Sequence, residues 1–371
     1  MKKVLFVLDG AVYSGAEIVL ERFLNGNKEV EPYFISIYSE ESVNEIIINK
    51  FGKDKLHSLY ASHLPYKLDR MLPWFEWLKI KDDVKSILTA VNPDILYVNN
   101  TTEGFIFSHL LNSIKIPSLV HIHDMKSSFK DPIRKYFGRT KLEKYDRLVT
   151  VSQGTKQDWG FSKDCDVVYN GVDSMRDSEN DISHDSTIRK IGFIGQLSFR
   201  KGVDLLIDFA ENYLGDNANS LEFVFVYNVI QDQSLFARLV KLKNKYNENI
   251  KILEKLNSEE VQGFYKDIDV LIVPSRFDPL PTVIMESMVK GKLVIGSNVG
   301  GIPEMIESKF LFDVELKSMT AVINSVLNLT SKEVFNSRKR NVKVANEKFS
   351  STQKLDRING ILNDLNQISL C

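Results

Sequence analysis

Cysteine is nearly absent: 371 residues hold only Cys165 and Cys371. They are far apart in sequence and fall in no metal-ligand pattern, which argues against a disulfide framework and for a reducing compartment. Net charge is also missing, with 48 Lys and Arg against 49 Asp and Glu. Without a global basic field, nucleic acid is not an expected partner. No apolar run approaches the roughly eighteen residues that a membrane span needs. The first run, Val4 to Leu8, stops at Asp9. It is too short for a secretory signal and reads as a first buried strand. The expected location is therefore cytoplasmic.

What is present is ordinary globular composition, 43% apolar and 26% charged, at a length that suits two domains. Short apolar runs alternate with segments of helical period. Strands are expected at 4–8, 34–38, 95–98, 118–122 and 147–151, with helices near 16–26, 68–90, 101–113 and 130–144. A polar stretch over 174–187 reads as a linker. The pattern then restarts, with strands at 190–195, 221–227, 249–253, 269–274 and 293–296. Helices alternate with them near 202–214, 231–247, 258–267 and 283–290. Such alternation predicts an α/β protein with parallel sheets covered on both faces. The expected domains are 1–173 and 188–350, and open sheets of this kind bind ligands at the carboxyl ends of their strands.

The richest segment is VPSRFDPLPTVIMESMVKGKLVIGSNVGGIPE, residues 273–304. It reads as strand, loop, helix, strand and glycine turn. Asp278 and Glu286 bracket the loop and helix with seven residues between them. A helix N-terminus suits an anion, whereas a carboxylate suits hydroxyl groups. Together they suggest a ligand with both phosphates and sugar hydroxyls, the alternative being an ordinary βαβ unit with two solvated acids.

This segment resembles the donor-site signature of family 4 retaining glycosyltransferases of the GT-B fold. There, Glu-x7-Glu lies between a Pro-Ser strand end and a Gly-Gly-Ile-Pro-Glu turn; here the strings are Pro274-Ser275, Asp278-x7-Glu286 and Gly300-Gly301-Ile302-Pro303-Glu304. Further matches are the loop from Asp9 to Glu17, His121-Ile122-His123-Asp124, the string from Val168 to Asp173 and that from Gly195 to Gly202. The resemblance implies two Rossmann-like domains with parallel sheets facing across a cleft, the first completed by a C-terminal helix at 351–371. It also implies a nucleoside-diphosphate sugar donor, preferably a UDP-sugar, and a glycan or lipid-linked acceptor, with neither cofactor nor metal. By the same resemblance, His123 serves the sugar side of the reacting bond, Asp278 a hydroxyl of the donor sugar and Glu286 the ribose. Lys201 and the Gly15 backbone serve the diphosphate. Ser14, Gln196 and Asp278 depart from the pattern, where Gly, Arg and Glu are usual. Arg200 is a candidate to replace the missing charge at Gln196. Pro279 and Pro281 replace glycines, leaving Leu280 and Thr282 as backbone donors in the loop beside Pro281.

Lys201 is expected as an exposed cation near a helix start. Residues 126–147 carry eight Lys or Arg against three acids, with Phe129, Ile133, Tyr136 and Phe137 at helical spacing. That segment is either a solvated helix with its apolar face in the core or a basic amphipathic surface for an anionic membrane. Two other functions stay open: a catalytically silent partner subunit of the same fold, and a nucleotide-sugar epimerase. Donor turnover separates the first from an enzyme; sugar isomerisation without an acceptor marks the second.

Overall fold

A computed structural model describes residues 1–10, 15–38, 40–59, 73–173, 187–216 and 221–368. The chain divides into two compact units, Met1–Gly171 with Ser351–Cys371, and Val172–Ser350.

The first unit holds a parallel seven-stranded sheet among the described residues. Its strands are β1 (Lys2–Leu8), β2 (Val30–Ser36), β3 (Leu56–Ser58), β4 (Ile95–Val98), β5 (Ser118–Ile122), β6 (Arg147–Thr150) and β7 (Cys165–Val167), in the order β3-β2-β1-β4-β5-β6-β7. The order reverses between β1 and β4, a switch point where the loops after adjacent strands diverge and leave a crevice. Core clusters cover both faces of the sheet. One includes Val4, Phe6 and Leu8 with Ile358, Ile361, Leu362 and Leu365 of the last helix, Ser351–Ile368. Alternate residues of β1 thus serve opposite faces, as the pleat requires.

The second unit repeats the plan. Its strands β8 (Lys190–Ile194), β9 (Glu222–Tyr227), β10 (Ile250–Glu254), β11 (Val270–Val273), β12 (Leu293–Ser297) and β13 (Leu311–Phe312) run in the order β10-β9-β8-β11-β12-β13. The switch point here lies between β8 and β11.

Several expected boundaries move for local reasons. The strand expected at 34–38 runs from Val30 to Ser36 and includes Pro32. Proline is tolerated there because β3 pairs only with Phe34, Ile35 and Ser36, so Pro32 has no partner on that side. The helix expected over 101–113 closes at Phe107. Ser108 turns back to donate to the Phe105 carbonyl at 2.7 Å, and a short turn at Leu111–Ser113 follows. Strands β3, β7 and β13 and the helices Glu41–Phe51 and Gln153–Trp159 lack the sustained periodicity that marks an element in sequence. The expected linker, apart from Thr187, and the start of the 68–90 helix lie outside the described residues.

Candidate active site

In the second unit, β8 and β11 each end in a loop that carries candidate groups. After β8, Gly195 donates to the Val226 carbonyl at 3.0 Å, and Gln196 follows, half-buried. Ser198 caps the single turn Phe199–Lys201, its side chain accepting from the Lys201 N–H at 3.3 Å. Gly202 ends that turn at φ 69°. A Cβ at Gly202 would lie 1.8 Å from the Pro274 carbonyl oxygen. Glycine is therefore required twice, for its left-handed backbone and for the close approach of the two loops.

The loops are also fastened by side chains. Arg276 donates both guanidinium nitrogens to Asp204 at 2.7 Å. One of them also donates to the Phe199 carbonyl at 2.8 Å, and the guanidinium lies 3.6 Å from the Phe199 ring centroid. Arg276 N–H donates to the Arg200 carbonyl at 2.8 Å, and Arg200 Nη1 to the Phe277 carbonyl at 3.3 Å. Arg200 therefore points at the Asp278 loop. A fork-shaped planar cation explains why arginine stands at 276: lysine could not make the paired contact to Asp204.

At the centre is Lys201, whose Nζ donates to Asp278 Oδ2 at 2.7 Å. Its side chain is 21% exposed and that of Asp278 only 5%. The expected exposed lysine is thus a mostly buried, paired one, because the close approach at Gly202 carries it onto the β11 loop. Ser275 Oγ donates to the same Oδ2 at 3.1 Å, and Gly301 N–H donates to the Asp278 carbonyl at 3.2 Å. The Gly-Gly turn after β12 thereby fixes the backbone beneath the acid.

Leu280 is buried, and Pro281 precedes the helix Thr282–Val289 with no side-chain cap. The first turn of that helix carries no acid. Its opening N–H groups, Thr282 among them, form a partial positive end beside the Lys201–Asp278 pair. Glu286, one turn in, accepts from the Tyr265 hydroxyl at 3.0 Å. Tyr265 is fully buried on the neighbouring helix Ser258–Asp267, so it orients the carboxylate. The arrangement brings two cations, Lys201 and Arg200, to a loop with a helix start and two carboxylates, a set suited to a diphosphate joined to polyhydroxylated groups.

In the first unit the candidates stand at the carboxyl ends of β1 and β5. Gly15 opens the helix Gly15–Leu24, and a Cβ there would meet nothing within 4 Å. Ser14 lies outside the described residues. His121 closes on Tyr97, Nδ1 to hydroxyl at 2.7 Å. The His121 and His123 rings lie 4.3 Å apart, and neither Nε2 has a protein partner although both are enclosed. Burial, helped by the Lys354 ammonium, pushes His123 down to about 3. His121 is lowered for the same first cause, with His123 and Lys354 adding to it. Both imidazoles are therefore neutral near pH 7. Lys354, on the last helix, is buried and donates to the Val19 carbonyl at 3.2 Å. Burial and the nearby Arg22 bring its amine down to about 7. Among the described residues, no three of His, Cys, Asp and Glu gather as metal ligands.

Sequence reasoning missed Arg276, Ser275, Tyr265, Tyr97 and Lys354. Arg276 and Ser275 lie inside the richest segment, but their partners are set by the approach of two strand ends. Tyr97 and Lys354 are distant in sequence from the histidines they influence, and no local spacing marks them.

Two family profiles match consecutive parts of the chain. The one described as Glycosyltransferase Family 4 matches residues 47–176, and the one described as Glycosyl transferases group 1 matches 175–347. An uncharacterized glycosyltransferase of Methanocaldococcus jannaschii is 26% identical over 232 residues, 60% of this chain and 61% of that protein. The O-antigen biosynthesis glycosyltransferase WclY of Escherichia coli is 24% identical over 60% of this chain and 62% of its own length. The matches thus span about three fifths of these relatives. Among solved structures, Anabaena HepE in complex with UDP-glucose has a TM-score of 0.75 at 17% identity, covering 98% of this chain and 100% of that one. Sucrose-phosphate synthase of Thermosynechococcus elongatus has a TM-score of 0.76 at 14% identity, covering 98% and 99%. The chain has the GT-B fold and belongs to glycosyltransferase family 4.

Proposed function

We propose that the chain transfers a hexose or N-acetylhexosamine from a nucleoside-diphosphate sugar, preferably a UDP-sugar, to a glycan or lipid-linked acceptor. Transfer retains the anomeric configuration and uses no metal. The observation that carries this reading is the Lys201–Asp278 pair, held at the switch point of the second unit beside the uncapped helix start. Support for the donor class comes from HepE, solved with UDP and with UDP-glucose. We also propose a role in surface polysaccharide or glycoconjugate biosynthesis, supported by the similarity to WclY, a glycosyltransferase of O-antigen biosynthesis.

In this reading Glu286, steadied by Tyr265, accepts from the ribose hydroxyls, and Asp278 accepts from a hydroxyl of the donor sugar. Lys201 and Arg200 balance the diphosphate, with Gln196 adding a neutral contact. The N–H groups of Leu280 and Thr282 complete the loop, and Pro281 fixes the helix entry. From the first unit, His123 serves the sugar side of the reacting bond and the Gly15 backbone the diphosphate. The bond from the anomeric carbon to the phosphate oxygen breaks as the acceptor oxygen bonds to that carbon on the same face. The acceptor proton passes to the departing phosphate. Lys201 stabilises the charge that develops there, the type of electrostatic contribution that dominates many such reactions. A thermal-shift panel of nucleotide sugars tests the reading. A ligand present at a hundred times its dissociation constant adds about 2.7 kcal/mol. A clear rise with one UDP-sugar is the expected result; a flat response to every nucleotide sugar counts against it.

A further inference from the structure

The helix Pro132–Leu142 turns outward the kind of side chain that the rest of the fold buries. Its inner face is Arg134, Gly138 and Leu142, spaced four apart and all buried. Gly138 lets it lie close to the core, since a Cβ there would come within 2.9 Å of the Phe105 ring. The outer face carries Ile133, Tyr136 and Phe137, which are 43%, 75% and 62% exposed. These are three of the nine exposed large apolar side chains among the described residues, and they fall within two turns of one helix. Of the four residues expected at helical spacing, only Phe129 packs against the core, and it lies before the helix begins.

Charge is sorted in the same way. Lys135 is exposed on the helix next to Tyr136 in sequence, and Lys130 and Lys144 are exposed just before and just after it. The acids are engaged with the protein. Asp131 caps the helix by accepting from the Ile133 N–H and faces Arg134. Glu143 accepts from Ser162 and pairs with Arg139, while Asp146 accepts from Ser118. What faces solvent is an apolar patch with cations beside it and its local acids already occupied.

We propose that this face docks the protein on an anionic lipid bilayer, with Ile133, Tyr136 and Phe137 entering the interface and the lysines meeting lipid phosphates. Two aromatics and an aliphatic side chain flanked by lysines match such an interface in both polarity and charge. A second copy of the chain is disfavoured as occupant, because a two-fold contact would bring the same lysines against each other. Position adds to the argument. The helix follows β5 through the short turn Lys126–Ser128, so its first residues start from the same edge of the sheet as His123. A lipid-linked acceptor held in the membrane would thus be presented at the edge where this unit keeps its candidate site.

The test does not depend on the donor. Full-length protein is sedimented with phosphatidylcholine vesicles, with and without phosphatidylglycerol, at low and high salt. Two variants accompany it: Ile133→Ser/Tyr136→Ser/Phe137→Ser and Lys130→Gln/Lys135→Gln. Unchanged melting temperatures establish that both variants fold. Binding that requires phosphatidylglycerol, weakens in salt and falls about thirtyfold in the lysine variant is expected, at about 1 kcal/mol per basic residue. The apolar variant should fall by at least a comparable factor. Absence of wild-type binding, equal binding by the apolar variant, or an apolar face whose only effect is on self-association in sedimentation velocity would each overturn the proposal.

Discussion

Replacing Lys201 by Met and Asp278 by Asn, singly and together, measures whether their contact is structural as well as functional. At 2.7 Å and an effective dielectric of about 20, two unit charges attract by about 6 kcal/mol before desolvation is counted. Desolvation of each ion offsets several kcal/mol of that. Lys201 keeps a fifth of its side chain in water, which moderates both terms. A net coupling of about 2 kcal/mol is expected, within the range found for contacting residues. Lys201→Met strands a nearly buried carboxylate, with Ser275 as its remaining side-chain donor, and should lower stability by about 2–3 kcal/mol. Asp278→Asn should cost about 2 kcal/mol, and the double variant clearly less than the sum. For a unit of this size each kcal/mol is about 2–4 °C of melting temperature. The assay is thermal and urea unfolding of all four proteins, without ligand and then with a saturating UDP-sugar. The coupling should shrink when bound diphosphate gives Lys201 a second anion. Strict additivity without ligand would refute the reasoning, because it would leave the contact with no energetic content.

Gly202→Ala should lower stability by about 3 kcal/mol, since overpacking adds about 1–3 kcal/mol and a left-handed alanine about 1–2 kcal/mol; wild-type melting would show that the β8 and β11 loops part without cost. Stability should also fall as pH drops from 6.5 towards 3, because unfolded histidine takes a proton near 6.5 whereas folded His123 resists until about 3. For Lys354 the folded amine titrates near 7 and the unfolded one near 10.5, so its cost is full below pH 7 and is relieved as pH rises through 10.5. Lys354→Met should therefore raise the melting temperature at pH 7 and lose that advantage by pH 10.5. A difference between wild type and variant that does not change with pH would contradict the buried amine.

The repeated α/β plan was legible because β1, β4, β5, β8, β11 and β12 are short apolar runs separated by helical segments. Strand β13, two residues long, and β3, three residues long, exist through pairing with a neighbour and leave no periodic mark. Within the loops after β8 and β11, the strings around Lys201, Asp278 and Glu286 could be picked out by local order. That Lys201 meets Asp278 could not, because it follows from Gly202 lying against Pro274 across 72 residues of chain. The helix at 132–142 shows the same limit. Its composition left two orientations open, and the packing of Gly138 on Phe105 decides which side faces out.

Donor hydrolysis is the most direct measurement of the central claim. Release of UDP from a panel of UDP-sugars is followed for the wild type, Lys201→Ala and Glu286→Ala. Wild-type protein should release UDP from at least one donor. Lys201→Ala should lower that rate by about a hundredfold or more, the usual effect of removing a group that stabilises transition-state charge. Glu286→Ala should chiefly raise the donor concentration needed for half-maximal rate. Equal release by all three proteins would contradict the account, as would an absence of release from every nucleoside-diphosphate sugar.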